Sequence, residues 1–143
     1  MPEVIKSVLV GHPASYMFGL VDAVEKYPEF LPWCECSELI FRDAQVTRAV
    51  IGINFRGIRQ RFSTENSKSE PRLMQIRLIE GPFKTLEGYW RFMDLGDHGC
   101  KIEFCLRYEF ASRLLEKMIG PAFGYIANNL VDAFVKRAQI LYG

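Results

Sequence analysis

The chain is poor in cysteine and histidine and contains no long hydrophobic run. Its four cysteines and two histidines lack the spacing of metal ligands, since Cys34 and Cys36 are separated by one residue and Cys100 and Cys105 lie in or beside a predicted strand. We therefore predict no metal site, and reduced cysteines that serve as small apolar residues. The hydrophobic runs fall far short of the ~20 residues that span a bilayer, which excludes a membrane-spanning helix.

Motifs of nucleotide-binding and hydrolytic enzymes are also missing. The chain has no phosphate-binding glycine loop, no paired histidines on a helix and no serine nucleophile elbow. General acid–base catalysis needs an acid or base inside a cavity, and the inward faces of the strongest predicted strands offer Tyr108 and little else. We therefore predict no catalytic residues and a protein that is not an enzyme.

Neither sign of charge is in excess. The net charge of +1 gives no general attraction to nucleic acid or anionic lipid, so we predict no DNA partner.

With 143 residues, 49% hydrophobic and 24% charged, the chain has the size and composition of one globular domain. We predict a single ligand-binding domain over residues 1–143. Because no basic or arginine-rich leader precedes the first predicted strand, we expect a cytoplasmic, bacterial protein.

Alternation of apolar and polar residues predicts that most of the chain is β-strand. It is clearest at residues 101–110, where five apolar side chains share one face. Predicted strands cover residues 4–10, 37–42, 45–54, 58–66, 72–80, 85–92 and 101–110. A helix that starts at Pro13 follows the first strand, and residues 27–33 form an irregular connector or a very short second helix. Short turns between the later strands predict antiparallel pairing.

A long amphipathic helix is predicted over residues 113–141, with Ser112 as its N-cap. At ~1.5 Å per residue it is about 44 Å long, so it crosses the whole sheet and leaves room beneath it. Pro121 lacks an amide donor, and we expect a kink or a short separate first helix there. The predicted apolar stripe consists of Leu115, Met118, Ile119, Phe123, Ile126, Leu130, Phe134 and Leu141.

Four parts of the chain resemble the START-like, helix-grip domains of the coenzyme-Q-binding and polyketide-cyclase superfamily, in the branch that includes the bacterial ribosome-association toxins. These are residues 24–34 (VEKYPEFLPWC), the turn 81–84 with Leu86, Gly88, Trp90 and Phe92 after it, the strand segment 102–104, and the terminal helix. The resemblance covers nearly the whole chain. It implies an α+β fold in which a curved antiparallel sheet of about six or seven strands wraps a long C-terminal helix, with a small helix or helix pair after the first strand. Fold alone does not settle function.

The main functional hypothesis is a non-catalytic carrier of a hydrophobic ligand. The resemblance implies ubiquinone or another prenyl lipid as that ligand, support of respiratory electron transfer, and peripheral contact with the inner face of the membrane. The 13% of aromatic residues suits an aromatic headgroup. Predicted ligand-binding residues are Trp33, Met74, Ile76, Leu78, Leu86, Trp90, Phe92, Ile102, Phe104, Leu106, Tyr108, Met118, Phe123, Ile126, Ala127 and Leu130. A solid core built from the same residues remains the other interpretation.

The alternative hypothesis is a ribosome-association toxin that binds the large ribosomal subunit and blocks translation initiation, as the toxin branch implies. Arg56, Arg59 and Arg61 surround the Gly57 turn, and guanidinium groups make bidentate contacts with phosphate. Further candidates for this patch are Lys68, Arg72 and Arg77. An ordinary solvated sheet face explains the same residues, and the sequence does not separate the two functions. A cyclase-type enzyme is the least favoured of the three.

Overall fold

The computed structural model describes residues 2–143, and within them the chain forms one seven-stranded antiparallel sheet with three helical segments. The strands are β1 (Glu3–Val10), β2 (Cys34–Arg42), β3 (Val46–Phe55), β4 (Ile58–Ser69), β5 (Leu73–Glu80), β6 (Phe83–Asp94) and β7 (Cys100–Phe110). The helical segments are α1 (Ala14–Asp22), a 3₁₀ helix (Val24–Glu29) and α2 (Arg113–Tyr142). This arrangement confirms the predicted fold class.

The strand order in the sheet is β1-β7-β6-β5-β4-β3-β2, and all neighbours are antiparallel. Strands β2 to β7 therefore pair in sequence order, whereas β1 joins the sheet beside β7. Gly88, between the inward-facing Leu86 and Trp90, lets β6 and β7 approach closely. A Cβ at this position would collide with the carbonyl oxygen of Cys105, so only glycine fits there.

The predicted strands agree with the structure to within three residues. The largest differences, of three residues each, are at the start of β2 and at the end of β4, where the sequence predicts that the strand ends at residue 66. Instead β4 continues to Ser69, because Ser67, Lys68 and Ser69 pair with the first residues of β5. The short helix predicted at residues 27–33 begins earlier, at Val24.

Helix α2 lies across the inner face of the sheet and contacts β7, β1 and β4. Its N-cap prediction is confirmed, since the Ser112 hydroxyl accepts a hydrogen bond of 3.2 Å from the Leu115 amide. Of the kink or separate first helix expected at Pro121, the separate helix is wrong, because α2 continues through this residue. Ile119 and Phe123, on either side of the proline, are buried and hold the helix against the sheet. No helix of the described residues has the length and apolar character needed to cross a membrane.

Candidate functional site

An apolar cavity of about 100 Å³ lies between α2 and the inner face of the sheet. Its walls come from β3 to β7, from α2, and from the segment that contains the end of α1 and the 3₁₀ helix. Ligand pockets for drug-sized molecules usually measure roughly 300–1,000 Å³, whereas an apolar cavity of about 150 Å³ suffices for benzene. In this conformation the cavity is smaller than both of these volumes, so it is too small for a long lipid and approaches the size of a site for one small ring.

Eleven of the sixteen predicted ligand-binding residues line the cavity: Trp33, Met74, Ile76, Leu86, Trp90, Phe104, Leu106, Phe123, Ile126, Ala127 and Leu130. Strand alternation brings the members from β5, β6 and β7 to one face, and the helical repeat does the same for the members from α2. That these side chains bind a ligand remains a prediction.

The other five predicted residues lie outside the cavity lining. Phe92 and Ile102 point inward but lie beyond one end of the cavity, where Phe92 packs edge-on against Phe18 of α1, with the ring centroids 5.6 Å apart. At the opposite end, Tyr108 packs against Phe83 and Phe123.

Leu78 approaches the turn at Gly81 and lies outside the lining. Met118 is 55% exposed, so its place in the apolar stripe is wrong, as is that of the exposed Leu141. An α-helix turns by about 100° per residue, so Met118 is exposed although its neighbour Ile119 is buried. The buried stripe instead includes Ala122, Val131 and Ala138.

Nine further residues line the cavity: Val21, Val24, Tyr27, Ile51, Ile53, Phe62, Thr64, Asn66 and Phe134. The signal for the β4 members was available in the sequence. If Arg59 and Arg61 face outward, alternation turns Phe62, Thr64 and Asn66 inward. The residues before β2 have no such periodicity, and only the tertiary packing places them in the wall.

The polar groups of the cavity wall are few. The Tyr27 hydroxyl donates a hydrogen bond to the carbonyl oxygen of Val21, and burial is the main cause that raises the pKa of Tyr27. Thr64 and Asn66 add a hydroxyl and an amide from β4. Within residues 2–143, the Asn66 Oδ1 atom is buried without a hydrogen-bond partner.

A second polar cluster joins α1 to the sheet. Asp22 accepts a 2.6 Å hydrogen bond from the Thr47 hydroxyl and lies 3.1 Å from the Lys68 ammonium. The Lys68 side chain is 3% exposed, so its assignment to an outer basic patch is wrong: alternation turns it to the inner face of β4. Nearby, the Arg42 guanidinium binds both Glu25 oxygens, at 2.6 and 2.9 Å, and this lowers the pKa of Glu25.

The three candidate docking arginines lie at the β3–β4 turn and are exposed. Arg56 and Gly57 have φ values of 54° and 84°, as a two-residue type I′ hairpin requires. The Arg56 guanidinium lies over the Phe55 ring, 5.1 Å from its centroid. Arg59 pairs with Glu35 at 3.0 Å. We call Arg56, Arg59 and Arg61 the basic hairpin.

Arg72 and Arg77 do not belong to the basic hairpin. Arg72 lies in the β4–β5 turn, at the opposite end of β4. Arg77 pairs with Glu65 at 2.8 Å, and the same carboxylate binds Arg48 at 3.1 Å. The predicted patch is therefore reduced to its first three members.

Comparison with known proteins shows a family match over residues 10–135, to the family described as polyketide cyclase / dehydrase and lipid transport. A protein of Pseudomonas aeruginosa named ribosome association toxin RatA is 39% identical over 138 residues, which cover 96% of each chain. The mitochondrial coenzyme Q-binding protein COQ10 homolog B of Xenopus laevis is 32% identical, over 99% of this chain and 59% of its own length.

Solved structures show the same architecture. TTHA0849 from Thermus thermophilus aligns with a TM-score of 0.83 at 20% identity, covering 99% of this chain and 100% of its own. The Zhui aromatase/cyclase from Streptomyces aligns with a TM-score of 0.79 at 15% identity, covering 96% and 93%. At such low identities these matches show the fold alone.

Proposed function

Because this chain belongs to the polyketide cyclase/dehydrase and lipid transport family and, within it, to the ribosome association toxins, we propose that it associates with the ribosome and interferes with translation. The observation that carries the proposal is the 39% identity to the Pseudomonas aeruginosa toxin along 96% of both chains. The large ribosomal subunit is the partner that the sequence resemblance implies. This function would take place in the cytoplasm.

The basic hairpin is the surface that we assign to ribosomal RNA. Arg56 lies in the tight turn, and Arg59 and Arg61 follow it on β4. Arg59 is held by one exposed carboxylate, Glu35. Exposed ion pairs of this kind contribute roughly 0–1 kcal/mol, so exchanging Glu35 for an RNA phosphate costs little. Guanidinium groups bind phosphate oxygens in pairs, which gives orientation as well as attraction.

Reversal of two of these charges tests the assignment. The double variant Arg59→Glu/Arg61→Glu should lose co-sedimentation with large ribosomal subunits at low salt, because two attractive contacts become repulsive. Its melting temperature should stay close to that of the wild type, since exposed substitutions usually change stability by less than about 0.5 kcal/mol.

The matched control is Arg91→Glu/Arg107→Glu. These arginines are also exposed on the sheet and paired with carboxylates, Glu103 and Glu3, and the control changes the net charge by the same amount. It should still sediment with the subunits. Loss of binding in both variants would indicate a general charge effect and remove the basic hairpin as the docking surface. A wild-type protein that stays in the supernatant would overturn the ribosome proposal.

A second candidate function is the binding of an apolar small molecule, and the cavity beneath α2 is the observation that favours it. A relative named as a coenzyme Q-binding protein supports a quinone or prenyl lipid. The cavity of about 100 Å³ would have to widen for a quinone headgroup, through movement of α2 away from the sheet. Protein purified from a quinone-producing bacterium should release such a lipid into organic solvent, detectable by mass spectrometry. A lipid-free extract would contradict the carrier function.

Both candidate functions are non-catalytic. The lining of the cavity contains Tyr27 as its titratable residue, and the raised pKa of this hydroxyl makes it a poor general base near neutral pH. The named function of the toxin relative supports the same view. The Zhui aromatase/cyclase shares the architecture, and fold alone does not carry activity.

A further inference from the structure

Asn66 is an unsatisfied polar residue in an otherwise apolar wall. It is 6% exposed, it lines the cavity, and its Oδ1 atom has no hydrogen-bond partner within residues 2–143. A buried acceptor without a donor destabilises a protein, and such groups in folded chains call for an explanation. Thr64, two residues earlier on the same face of β4, adds a second polar group to the same wall.

The protein itself supplies no donor to Asn66 from the strands on either side. Its partner on β3 is Thr47, and the Thr47 hydroxyl already donates to Asp22. Its partner on β5 is Ile76, which has no polar side-chain atom. The Tyr27 hydroxyl, elsewhere in the wall, donates to the Val21 carbonyl. Lys68, two residues further along the same face of β4, pairs with Asp22. The remaining side of Asn66 is the cavity that the residue lines.

We propose that the cavity selects a small apolar ligand that carries a hydroxyl group, and that Asn66 is the residue that recognises this group. The proposal rests on the second candidate function, the binding of an apolar molecule. The hydroxyl donates to Asn66 Oδ1, while the apolar body of the ligand packs against Trp90, Phe104 and Leu106. A cavity of about 100 Å³ is two thirds of the ~150 Å³ that holds benzene, so a single six-membered ring is the largest group that it would take, with slight widening.

Benzene and phenol form a matched probe pair, because they differ by one hydroxyl group. Their dissociation constants are measured by isothermal titration calorimetry with the full chain. In Asn66→Leu, which keeps a similar side-chain size, phenol should bind about three- to tenfold more weakly than in the wild type. Benzene affinity should change less than twofold. The three- to tenfold loss for phenol is the change in affinity expected when the net free energy of one hydrogen bond is lost.

Two control variants separate recognition from general effects. Among the residues that the structure describes, Ser37 also carries a buried oxygen without a partner. Ser37 does not line the cavity, so Ser37→Ala should change neither affinity. Thr64→Val removes the neighbouring hydroxyl at constant shape and should weaken phenol less than Asn66→Leu does. Asn66→Val serves as a second removal of the amide if the leucine variant does not fold.

The outcomes distinguish this proposal from the function on which it rests. If the wild type binds neither probe, ligand binding by this cavity and its selection of a hydroxyl both fail. If benzene and phenol both bind and the Asn66 variants affect them equally, or affect neither, ligand binding stands and recognition by Asn66 is overturned. A water molecule that permanently satisfies Asn66 would give this second result.

Discussion

Asp22 connects the end of α1 to the sheet through three polar partners. It accepts a hydrogen bond from Thr47 and pairs with Lys68, and Arg42 approaches within 3.5 Å. Lys68 is the more deeply buried of the ion pair, and among the described residues Asp22 is its one charged partner. Loss of Asp22 therefore leaves Lys68 without a charged partner, whereas loss of Lys68 leaves Asp22 in contact with Thr47 and Arg42.

We predict that Asp22→Asn destabilises the protein more than Lys68→Met does. The first change leaves the Lys68 ammonium buried without a counter-charge, which typically costs about 3 kcal/mol. The second leaves Asp22 with Thr47 and Arg42, and we expect a cost of about 1 kcal/mol. Urea unfolding at pH 7 measures both. Glu103→Gln, which breaks the more exposed pair with Arg91, should cost less than about 1 kcal/mol. Equal costs for Asp22→Asn and Lys68→Met would contradict the argument.

At the scale of elements, helix α2 offers two buried alanines with different surroundings. Ala127 is 1% exposed and lines the cavity, whereas Ala138 is 0% exposed and lies outside the lining. Both belong to the same helix and both face the sheet, so they share backbone context. They differ in whether empty space lies beside the methyl group.

We predict that Ala127→Phe leaves the melting temperature within a few degrees of the wild type, because its ring enters existing space. Ala138→Phe should destabilise the protein by about 1–3 kcal/mol or more, as overpacking of a filled core does. Thermal unfolding checks both. Ala127→Phe should also weaken benzene binding at least about tenfold, or ~1.4 kcal/mol. If Ala127→Phe is as destabilising as Ala138→Phe and still binds benzene, the ligand site does not lie beneath this part of α2.

The elements themselves were predictable because each depends on local periodicity. Alternation over residues 101–110 and the helical repeat after Ser112 predict β7 and α2 closely, since both patterns reflect burial of one face. Two features of the fold, the inward position of Lys68 and the continuity of α2, depend on contacts between residues that are distant in sequence. Lys68 lies beyond the predicted end of β4 because its neighbours are polar. Only the pairing with Met74 shows that β4 continues through Lys68, and alternation then turns the side chain inward to Asp22. The continuity of α2 through Pro121 likewise depends on packing against the sheet.

At the scale of the whole molecule, opposite charges largely cancel, and the basic hairpin is an exception. The net charge is +1, and on the outer face of the sheet Arg48 and Arg77 share Glu65. Within residues 2–143, neither Arg56 nor Arg61 has a carboxylate at ion-pair distance. Attraction to a polyanion therefore depends on a few local contacts, and this limits how strongly salt can affect it.

We therefore predict a shallow dependence of ribosome association on salt. Each phosphate contact contributes about −0.7 to −0.9 to the slope of log K against log salt concentration, so three guanidinium groups give a slope of roughly −2 to −3. In Arg59→Ala/Arg61→Ala the slope should become less negative by about 1.5, because two contacts are lost. Binding of labelled protein to large subunits across a salt series measures it. Arg91→Ala/Arg107→Ala should keep the wild-type slope. An unchanged slope in Arg59→Ala/Arg61→Ala, even with weaker binding, would mean that these arginines contact protein rather than RNA.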